Sequence, residues 1–226
     1  MSNAIFITGT DTAIGKTYVA KLLLKMAGKR GLTTLGLKPV SAGCVERDKL
    51  LVNQDAWELM ERSSIQPAYR DVNPAALREA MAPHIAAERE ERSLDAQELA
   101  THCRQMMQQA DFVVIEGAGG WQVPLNAEET MADLAVGIAC PVVLVVGMRL
   151  GCINHALLSA KAIQLTGLRL AGWIANLVDA NMKVVDENIE TLEQRLHVPR
   201  IGTLPWGDPE VAIKFLDLDI LLSKPS

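Results

Sequence analysis

The 226-residue chain lacks features that would place it in several large classes of protein. No apolar run reaches the roughly 18–20 residues that span a bilayer, and the longest candidate, 138–148, is interrupted by Pro141 and Gly147. Basic residues are not in excess, because 22 Lys and Arg stand against 27 Asp and Glu, for a net charge of -5. A protein that binds duplex nucleic acid usually carries a basic excess. We therefore expect neither a membrane nor a nucleic-acid partner.

Export and metal-binding patterns are also missing. Residues 1–8 lack the basic start and apolar stretch of a signal peptide. The cysteines form no C-x-x-C pair and have no histidines at metal-ligand spacing. Such cysteines are typical of small buried side chains in a reducing compartment, so we expect a cytoplasmic protein without disulfide or zinc. The scattered cysteines are Cys44, Cys103, Cys140 and Cys152.

What the chain does contain is a repeated alternation of two kinds of segment. Hydrophobic residues make up 49% and charged residues 22%, a balance that can bury a core. Short apolar runs that end in glycine-bearing turns alternate with longer amphipathic stretches. No internal repeat or low-complexity linker divides them, so we expect one domain over residues 1–226. The predicted strands are 4–7, 32–40, 112–115, 141–147, 169–176 and 200–204, and the predicted helices include 15–28, 54–61, 95–109 and 154–166.

This alternation predicts the fold class. Continuous apolar strands separated by helices are typical of a parallel sheet that is covered on both faces. The sequence therefore predicts an α/β fold with a doubly wound, mostly parallel sheet and helices on both faces. Segment 48–92 is less regular and more polar, and we expect it to fold over one end of the sheet. Ligands bind beyond the carboxyl ends of the strands in such sheets, so the residues after each strand are the functional candidates.

The first predicted strand ends in G-T-D-T-A-I-G-K-T, from Gly9 to Thr17. Backbone N–H groups of such a loop, and of the helix that it opens, can cradle a phosphate. Lys16 would neutralise the outer phosphates, and the Thr17 hydroxyl would bind Mg²⁺. The usual pattern encloses four residues between its glycines, whereas Gly9 and Gly15 enclose five. An ordinary turn with an exposed lysine is the alternative, but the order strand, loop, helix favours a phosphate loop of the P-loop NTPase kind.

The next two strand ends carry opposite charges. Lys38 follows the second predicted strand, where either contact with the same phosphates or simple solvation would suit a lysine. Glu116 opens E-G-A-G-G-W after the third strand, at the position where nucleotide hydrolases place a metal carboxylate. The glycines would let the backbone approach a ligand closely. A flexible turn with a surface glutamate is the alternative at this position.

The remaining strand ends give weaker signals. The loop 148–155 opens a helix whose N-terminus would suit an anion such as a carboxylate, although every helix has an N-terminus. The amide of Asn176 suits the edge of a base. Trp206, between Pro205 and Gly207, would either flank a base or pack in the core. Together, the strand ends predict magnesium–nucleotide chemistry, and they do not name the group that accepts the phosphate.

The strand ends resemble, in order and spacing, those of the dethiobiotin synthetase family, and the resemblance runs from Phe6 to about Gly207. It explains the longer loop, which is a family trait. It implies an ATP-dependent ligase of biotin biosynthesis that converts 7,8-diaminopelargonic acid and CO₂ to dethiobiotin through a carbamate and a carbamic-phosphoric anhydride, releasing ADP and phosphate. The matching motifs are G-T-D-T-x-x-G-K-T at 9–17, K-P-V at 38–40, N-x-D-A at 53–56, E-G-A-G-G-W at 116–121, G-C-I-N-H-A at 151–156 and G-W-x-A-N at 172–176.

The resemblance also implies a role for individual residues. Lys38 and Lys16 are the implied catalytic residues, and the implied cofactor is Mg²⁺, held by Thr17, Asp55 and Glu116. The implied ATP-binding set is Ala13, Ile14, Gly15, Lys16, Thr17, Tyr18, Asp55, Glu116, Gly117, Ala118, Gly119, Asn176, Pro205, Trp206 and Gly207. The implied substrate-binding set is Thr12, Lys38, Ser41, Leu150, Gly151, Cys152 and Asn154.

A homodimer with its site at the interface is implied as well, in which the loop 150–154 of one subunit receives the substrate carboxylate of the other.

Three positions depart from the family pattern. Ala13 stands where the family often has an acidic residue, and Ser41 precedes Ala42, so the hydroxyl comes one position early. Asn188 aligns near a tyrosine that often lies by the substrate tail. These departures partly alter the residues implied to surround the substrate. The alternative function is therefore an ATP-dependent ligase that acts on a different amine.

Two other functions of similar nucleotide-binding proteins agree less well with this sequence. An amide ligase of the cobyrinate diamide type usually carries a glutaminase domain, for which we expect no room in 226 residues. A nucleotide switch of the partitioning-ATPase type usually has a second lysine early in its loop, where this chain has Thr10, Asp11 and Thr12. The acidic net charge and the lack of a C-terminal amphipathic anchor also disfavour the switch.

Overall fold

The computed structural model describes residues 3–205, 207 and 209–222, without the side chains of Pro209 and Glu210. Its strands are β1 (Asn3–Gly9), β2 (Thr34–Leu37), β3 (Val40–Ser41), β4 (Val45–Arg47), β5 (Leu50–Val52), β6 (Ala75–Ala76), β7 (Phe112–Glu116), β8 (Val142–Gly147), β9 (Leu170–Asn176) and β10 (Arg200–Leu204). The central sheet has the order β10-β9-β8-β1-β7-β2, and each neighbouring pair in it is parallel.

Helices connect and cover these strands. They are α1 (Lys16–Lys29), α2 (Gln54–Arg62), α3 (Tyr69–Val72), α4 (Pro83–Arg89), α5 (Ala96–Met106), α6 (Met131–Ile138), α7 (Cys152–Leu165), α8 (Val185–Leu196), α9 (Pro209–Ala212) and α10 (Asp219–Leu222), with 3₁₀ turns at Met107–Gln109 and Ile213–Phe215. Within the described ranges, none of the helices is both long and apolar enough to cross a membrane.

The two faces of the sheet pack against different helices. Side chains alternate along a strand, so Phe6 of β1 faces the cluster that holds α5, α6, α7 and α8. Its neighbours Ile5 and Ile7 face the cluster that holds α1, Leu59 of α2 and α10. Because both faces are covered, the strands are apolar on both sides. The predicted doubly wound fold is confirmed, and its central sheet is wholly parallel.

Several element ends differ from the predicted ones for local reasons. The predicted strand 32–40 stops at Leu37, because Pro39 has no N–H to donate to the ladder, and Val40 and Ser41 form β3 beside β6 instead. Helix α7 begins two residues earlier than predicted, at Cys152, where Gly151 adopts the left-handed region with φ of 93°. Helix α5 gives way to a 3₁₀ turn at Met107.

Segment 48–92 contributes small elements, some of which lie at the carboxyl end of the sheet, while Leu59 of α2 packs against Gly36 on a face of the sheet. It contains most of the β4–β5 hairpin, then α2, α3, β6 and α4. The chain leaves β1 for β2 on one side, and it crosses from β7 to β8 on the other side of β1. This reversal of direction opens a crevice beyond the end of β1, which is where open α/β sheets bind ligands.

Candidate nucleotide-binding site

The loop after β1 has the shape of a phosphate cradle. Gly15 caps α1 with φ of 87°, in the left-handed region that glycine adopts without strain. Ala13 also has a positive φ, of 56°, which accommodates the fifth residue between the glycines. The Lys16 ammonium folds back to donate to the Asp11 carbonyl at 2.7 Å. Gly15, Lys16 and Thr17 line the crevice, so the N-terminus of α1 faces it, as in a helix that binds phosphate.

A cavity of about 840 Å³ lies at this crevice and gathers most of the predicted site. It also takes in residues that the sequence did not single out, from the start of α4 and from the turn after β7, among them Met81, Pro83 and Val123. The predicted site residues that line it are Thr12, Ala13, Gly15, Lys16, Thr17, Lys38, Ser41, Asp55, Glu116, Ala118 and Gly119.

A chain of charged contacts forms the base of the cavity. The Lys38 ammonium donates to Glu116 at 2.5 Å and to Asp55 at 3.1 Å. The Thr17 hydroxyl donates to the same Glu116 oxygen at 2.8 Å. Asn53 places Asp55 here, because its side chain accepts from the Ala56 N–H and caps the start of α2. Four elements that are distant in the sequence thus converge on one spot.

The two lysines have pKa values that move in opposite directions. Burial lowers the pKa of Lys38, but attraction to Glu116 and Asp55 outweighs burial and holds the pKa above its usual value. Burial, together with the neighbouring charge of Lys38, lowers the pKa of Lys16 to about 8. Lys38 is therefore a fixed cation, whereas Lys16 loses its proton at a lower pH than an ordinary lysine does.

The oxygen atoms here fit a magnesium ion. The Oε2 atom of Glu116 is buried and has no hydrogen-bond partner among the described residues, although Oε1 has two. Mg²⁺ usually takes one or two carboxylates together with phosphate oxygens and waters. The described ranges hold no cluster of three or more His, Cys, Asp or Glu side chains placed for a metal. A magnesium ion would accordingly draw on Thr17, Asp55, Glu116 and the nucleotide.

Some of the predicted nucleotide contacts lie outside the cavity. Asn176 is buried, and its amide donates to the Ile14 carbonyl at 2.7 Å, which braces the phosphate loop against the end of β9. Pro205 lines a separate groove beside β10, and Gly207 is exposed. Trp206 lies outside the described residues. The predicted contacts of Asn176, Pro205 and Trp206 with a base stay predictions.

Three more predicted ATP contacts belong to the walls of the loop. Ile14 is buried between the ends of β1 and β8, where an added Cβ on Gly9 or Gly147 would strike it. Gly117 packs against the Phe6 ring, leaving only 3.0 Å for a Cβ. Tyr18 follows Thr17 in the first turn of α1. Ile14, Gly117 and Tyr18 thus lie in or beside the phosphate loop. Their direct contact with a nucleotide stays a prediction.

The predicted carboxylate loop, 150–154, lies away from the cavity of its own chain. Leu150 is 98% exposed, and Asn154 is exposed at the start of α7. The Cys152 side chain is buried, so that it leaves only its backbone for a ligand. Leu158 and Leu165 continue the exposed apolar surface along α7 at helical spacing. Gly151 holds the turn open through its positive φ.

The departures from the family pattern lie in different places. Ser41 lines the cavity but is only 1% exposed, and its hydroxyl donates to Asn73 at 2.7 Å, so the hydroxyl already has a partner within the protein. Ala42 lines the cavity beside it. Asn188 lies on α8, where its amide donates to the Val184 carbonyl. Asn73 was missed from the sequence because nothing in the irregular segment around it signals a contact with the end of β2.

The fold and the phosphate loop define this chain as an α/β nucleotide-binding protein of the P-loop class. Residues 3–212 match a family model described as an AAA domain. The septum site-determining protein MinD of Pyrococcus horikoshii, solved with Mg-ADP, superposes with a TM-score of 0.60 at 17% identity, covering 97% of this chain and 89% of that one. FtsY of Elizabethkingia anophelis gives 0.61 at 15% identity, with 99% and 66% covered. These similarities establish the fold alone.

Curated relatives identify the family within that class. The ATP-dependent dethiobiotin synthetase BioD of Cellvibrio japonicus is 55% identical over 222 residues, which are 97% of either chain. The proteins of the same name from Pseudomonas aeruginosa and Chromohalobacter salexigens are 51% and 49% identical, covering 95% and 88% of this chain and 96% and 88% of their own length. This chain belongs to the ATP-dependent dethiobiotin synthetase family, as its motifs indicated, and it is an enzyme.

Proposed function

We propose that this enzyme uses ATP to carboxylate and close 7,8-diaminopelargonic acid with CO₂ into dethiobiotin. One observation carries the proposal: Lys38, paired with Asp55 and Glu116, shares a single cavity with Lys16 and Thr17 of the phosphate loop. The cavity also has an apolar part, with Ala80, Met81, Val123 and Pro124, that suits an alkyl chain. Family membership supplies the reaction that these groups would serve.

The reaction needs charge neutralisation more than proton transfer by side chains. One substrate amine attacks CO₂, loses a proton and becomes a carbamate. A carbamate oxygen then takes the γ-phosphoryl group, and ADP leaves. The second amine attacks the carbamate carbon, loses a proton, and expels phosphate as the cyclic urea forms. Lys38 and Lys16 would stabilise the negative charges on carbamate and phosphate, and the fixed cavity would hold the reacting groups together.

Mg²⁺ would neutralise charge on the phosphates during transfer. Thr17, Asp55 and Glu116 would hold it, with the unpartnered Glu116 Oε2 available for the metal or its water. The contact of Lys38 with both carboxylates keeps their oxygens near the phosphate loop. The same proposal includes a single domain over residues 1–226 and a cytoplasmic location. It includes no nucleic-acid or membrane partner.

A homodimer would complete the substrate end of the site. The loop 150–154 does not line the cavity of its own chain. Leu150, just before α7, and Leu158 and Leu165 on α7 are exposed, and these three leucines are called the apolar strip. Contiguous exposed apolar surface is typical of an interface. In the dimer, the N-terminus of α7 would present its N–H groups and Asn154 to the substrate carboxylate of the partner subunit.

The direct test combines purified protein with Mg-ATP, bicarbonate and 7,8-diaminopelargonic acid. We expect phosphate release and dethiobiotin, detected by mass spectrometry, only when all three are present. Lys183 is an exposed lysine shortly before α8. Lys183→Ala is therefore the control, in this assay, for variants that remove the charge of Lys38 or Lys16. Phosphate release that does not depend on the diamine, or that is supported by another amine alone, would contradict the assigned acceptor.

A further inference from the structure

A buried polar cluster lies behind Lys38, on the side away from the phosphate loop. Asn73, at the end of α3, is 2% exposed, and its amide N–H₂ donates to the Lys38 carbonyl. Its Oδ1 accepts from the Ser41 hydroxyl at 2.7 Å and from the Tyr69 hydroxyl at 3.1 Å. Polar groups buried this deeply are stable only when they are satisfied, and together these bonds rigidify the backbone that they hold.

The same cluster reaches the start of α2. The Tyr69 hydroxyl accepts from the Asn53 backbone N–H at 2.7 Å while it donates to Asn73. Burial raises the pKa of Tyr69, so the hydroxyl keeps the proton that it donates. Asn53 caps α2, and its amide also donates to the Ala42 carbonyl at 3.2 Å. Lys38 and Asp55 are thus connected twice, by their ion pair and by a buried set of hydrogen bonds.

Lys38 depends on these contacts because it lies beyond the sheet. The ladder between β2 and β7 ends at Leu37, so the Lys38 N–H donates instead to the Val72 carbonyl at 2.9 Å. On the far side of the peptide that joins Lys38 to Pro39, the Ala75 N–H donates to the Pro39 carbonyl at 3.1 Å. The Asn73 amide supplies the bond to the carbonyl between them.

We propose that Asn73 is a positioning residue that fixes Lys38 against the phosphate loop, with Tyr69 holding Asn73 in place. The proposal rests on the role of Lys38 in the proposed function. Its reason is geometric, because displacement of a reacting or charge-stabilising group by about 1 Å lowers turnover on the order of 100-fold. Asn73 itself does not line the cavity, so it acts through the Lys38 backbone.

Asn73→Asp tests the proposal with little change in shape. The carboxylate still accepts from Ser41 and Tyr69, but it replaces the N–H donor with an oxygen that faces the Lys38 carbonyl. We expect kcat to fall about 100-fold while the KM for ATP changes less than about 2-fold. Tyr69→Phe removes one hydroxyl, and we expect a smaller fall, of about 3-fold to 10-fold, again in kcat. Asn181→Asp, on an exposed turn, is the matched control for the same chemical change.

A second measurement needs no turnover and so separates this proposal from the proposed function. Competitive acetylation of the folded protein, read by mass spectrometry, reports how far each lysine is protected. Lys38 is 5% exposed and doubly paired, so we expect slow labelling in the unchanged protein. Asn73→Asp and Tyr69→Phe should speed the labelling of Lys38 relative to the exposed Lys183, when each variant is labelled well below its own melting temperature.

The two readouts together decide the proposal. A fall in kcat at constant KM with faster labelling of Lys38 supports it. Unchanged kcat, or unchanged labelling of Lys38 in a folded variant, overturns it. If Asn73→Asp does not fold, Tyr69→Phe decides by the same criteria. If the unchanged protein forms no dethiobiotin, the proposed function fails on that result, and the labelling rates still decide whether Asn73 holds Lys38 in place.

Discussion

The two ends of the proposed active site are built in different ways. At the nucleotide end, Thr17 and Lys38 both contact Glu116 within a single chain. Lys16 donates to the Asp11 carbonyl of the same chain. At the proposed substrate-carboxylate end, Leu150, Gly151 and Asn154 are exposed, and the loop 150–154 does not line the cavity of its chain. On the proposed function, one chain would be sufficient to bind nucleotide, whereas substrate binding would require a second copy. Each end can therefore be disturbed without the other.

Lys38→Ala should have the largest effect, because it removes the fixed cation at the centre of the nucleotide end. We expect dethiobiotin formation to fall about 1000-fold, as when a charge-stabilising donor is removed from an active site. Product formation is the measurement, and the melting temperature should be followed, since Glu116 loses its paired cation. Lys183→Ala should stay near the unchanged rate. Near-normal turnover of Lys38→Ala would contradict the role assigned to Lys38.

Lys16→Ala should weaken ATP binding about 10-fold to 100-fold, because one charge-assisted hydrogen bond contributes about 1.5–3 kcal/mol. Isothermal titration with the nucleotide, at saturating magnesium, measures this affinity. The dimer, measured by light scattering, should be unchanged. A loss of dimer together with ATP affinity would show that the two ends are not independent.

Leu150→Asp should act at the other end, by placing a charge in the exposed apolar strip. We expect dimer affinity to fall at least about 10-fold, since a buried unpaired charge is costly, while ATP affinity stays within about 2-fold. Val184→Asp, at another exposed apolar residue, is the matched control. A Leu150→Asp protein that remains a dimer and binds the diamine normally would remove this loop from the interface.

ATP affinity should also depend on pH through Lys16. The pKa of Lys16 is lowered to about 8 in the free protein, and a bound phosphate favours the protonated form. Affinity should therefore be constant well below pH 8 and fall as the pH rises through 8, by at most about tenfold per unit. Titrations at pH 7, 8 and 9 measure it, with Lys16→Arg as a control that stays charged. An affinity that rises with pH would contradict this assignment.

Asn154→Ala should have the smallest effect, and it should be selective. We expect diamine affinity to fall about 5-fold to 10-fold, within the range of one ordinary hydrogen bond of about 0.5–1.5 kcal/mol, with ATP affinity unchanged. Separate titrations with nucleotide and with diamine distinguish the two. Equal loss of both affinities would place Asn154 outside the carboxylate site.

Much of the nucleotide end could be predicted from the sequence because its signals are local. A strand, a glycine-bearing loop and a helix follow one another at 4–28, and a parallel sheet brings the strand ends at Lys38 and Glu116 to the same edge. The pairing of β2 with β7 then makes these two ends neighbours. The contacts of Asn73 and Tyr69 could not be predicted, because they come from an irregular segment about 30 residues after Lys38. Periodicity carries no information about such long-range hydrogen bonds.

Residue type alone also left roles open. Asn176 suits a base, yet its amide in this structure donates to the Ile14 carbonyl of the phosphate loop. Ser41 suits a substrate contact, yet its hydroxyl donates to Asn73. In both cases the burial of the side chain, which the sequence does not reveal, determines which partner the polar group finds.

Oxygen transfer from CO₂ to phosphate tests the proposed chemistry most directly. The purified enzyme would be mixed for a single turnover with Mg-ATP, the diamine and ¹⁸O-labelled CO₂. If a carbamate oxygen takes the phosphoryl group, each phosphate released should carry one ¹⁸O from CO₂, and the urea carbonyl should keep the other. Unlabelled phosphate formed together with dethiobiotin would contradict a carbamic-phosphoric anhydride. It would also contradict the role of Lys38 and Lys16 in stabilising the carbamate and phosphate charges.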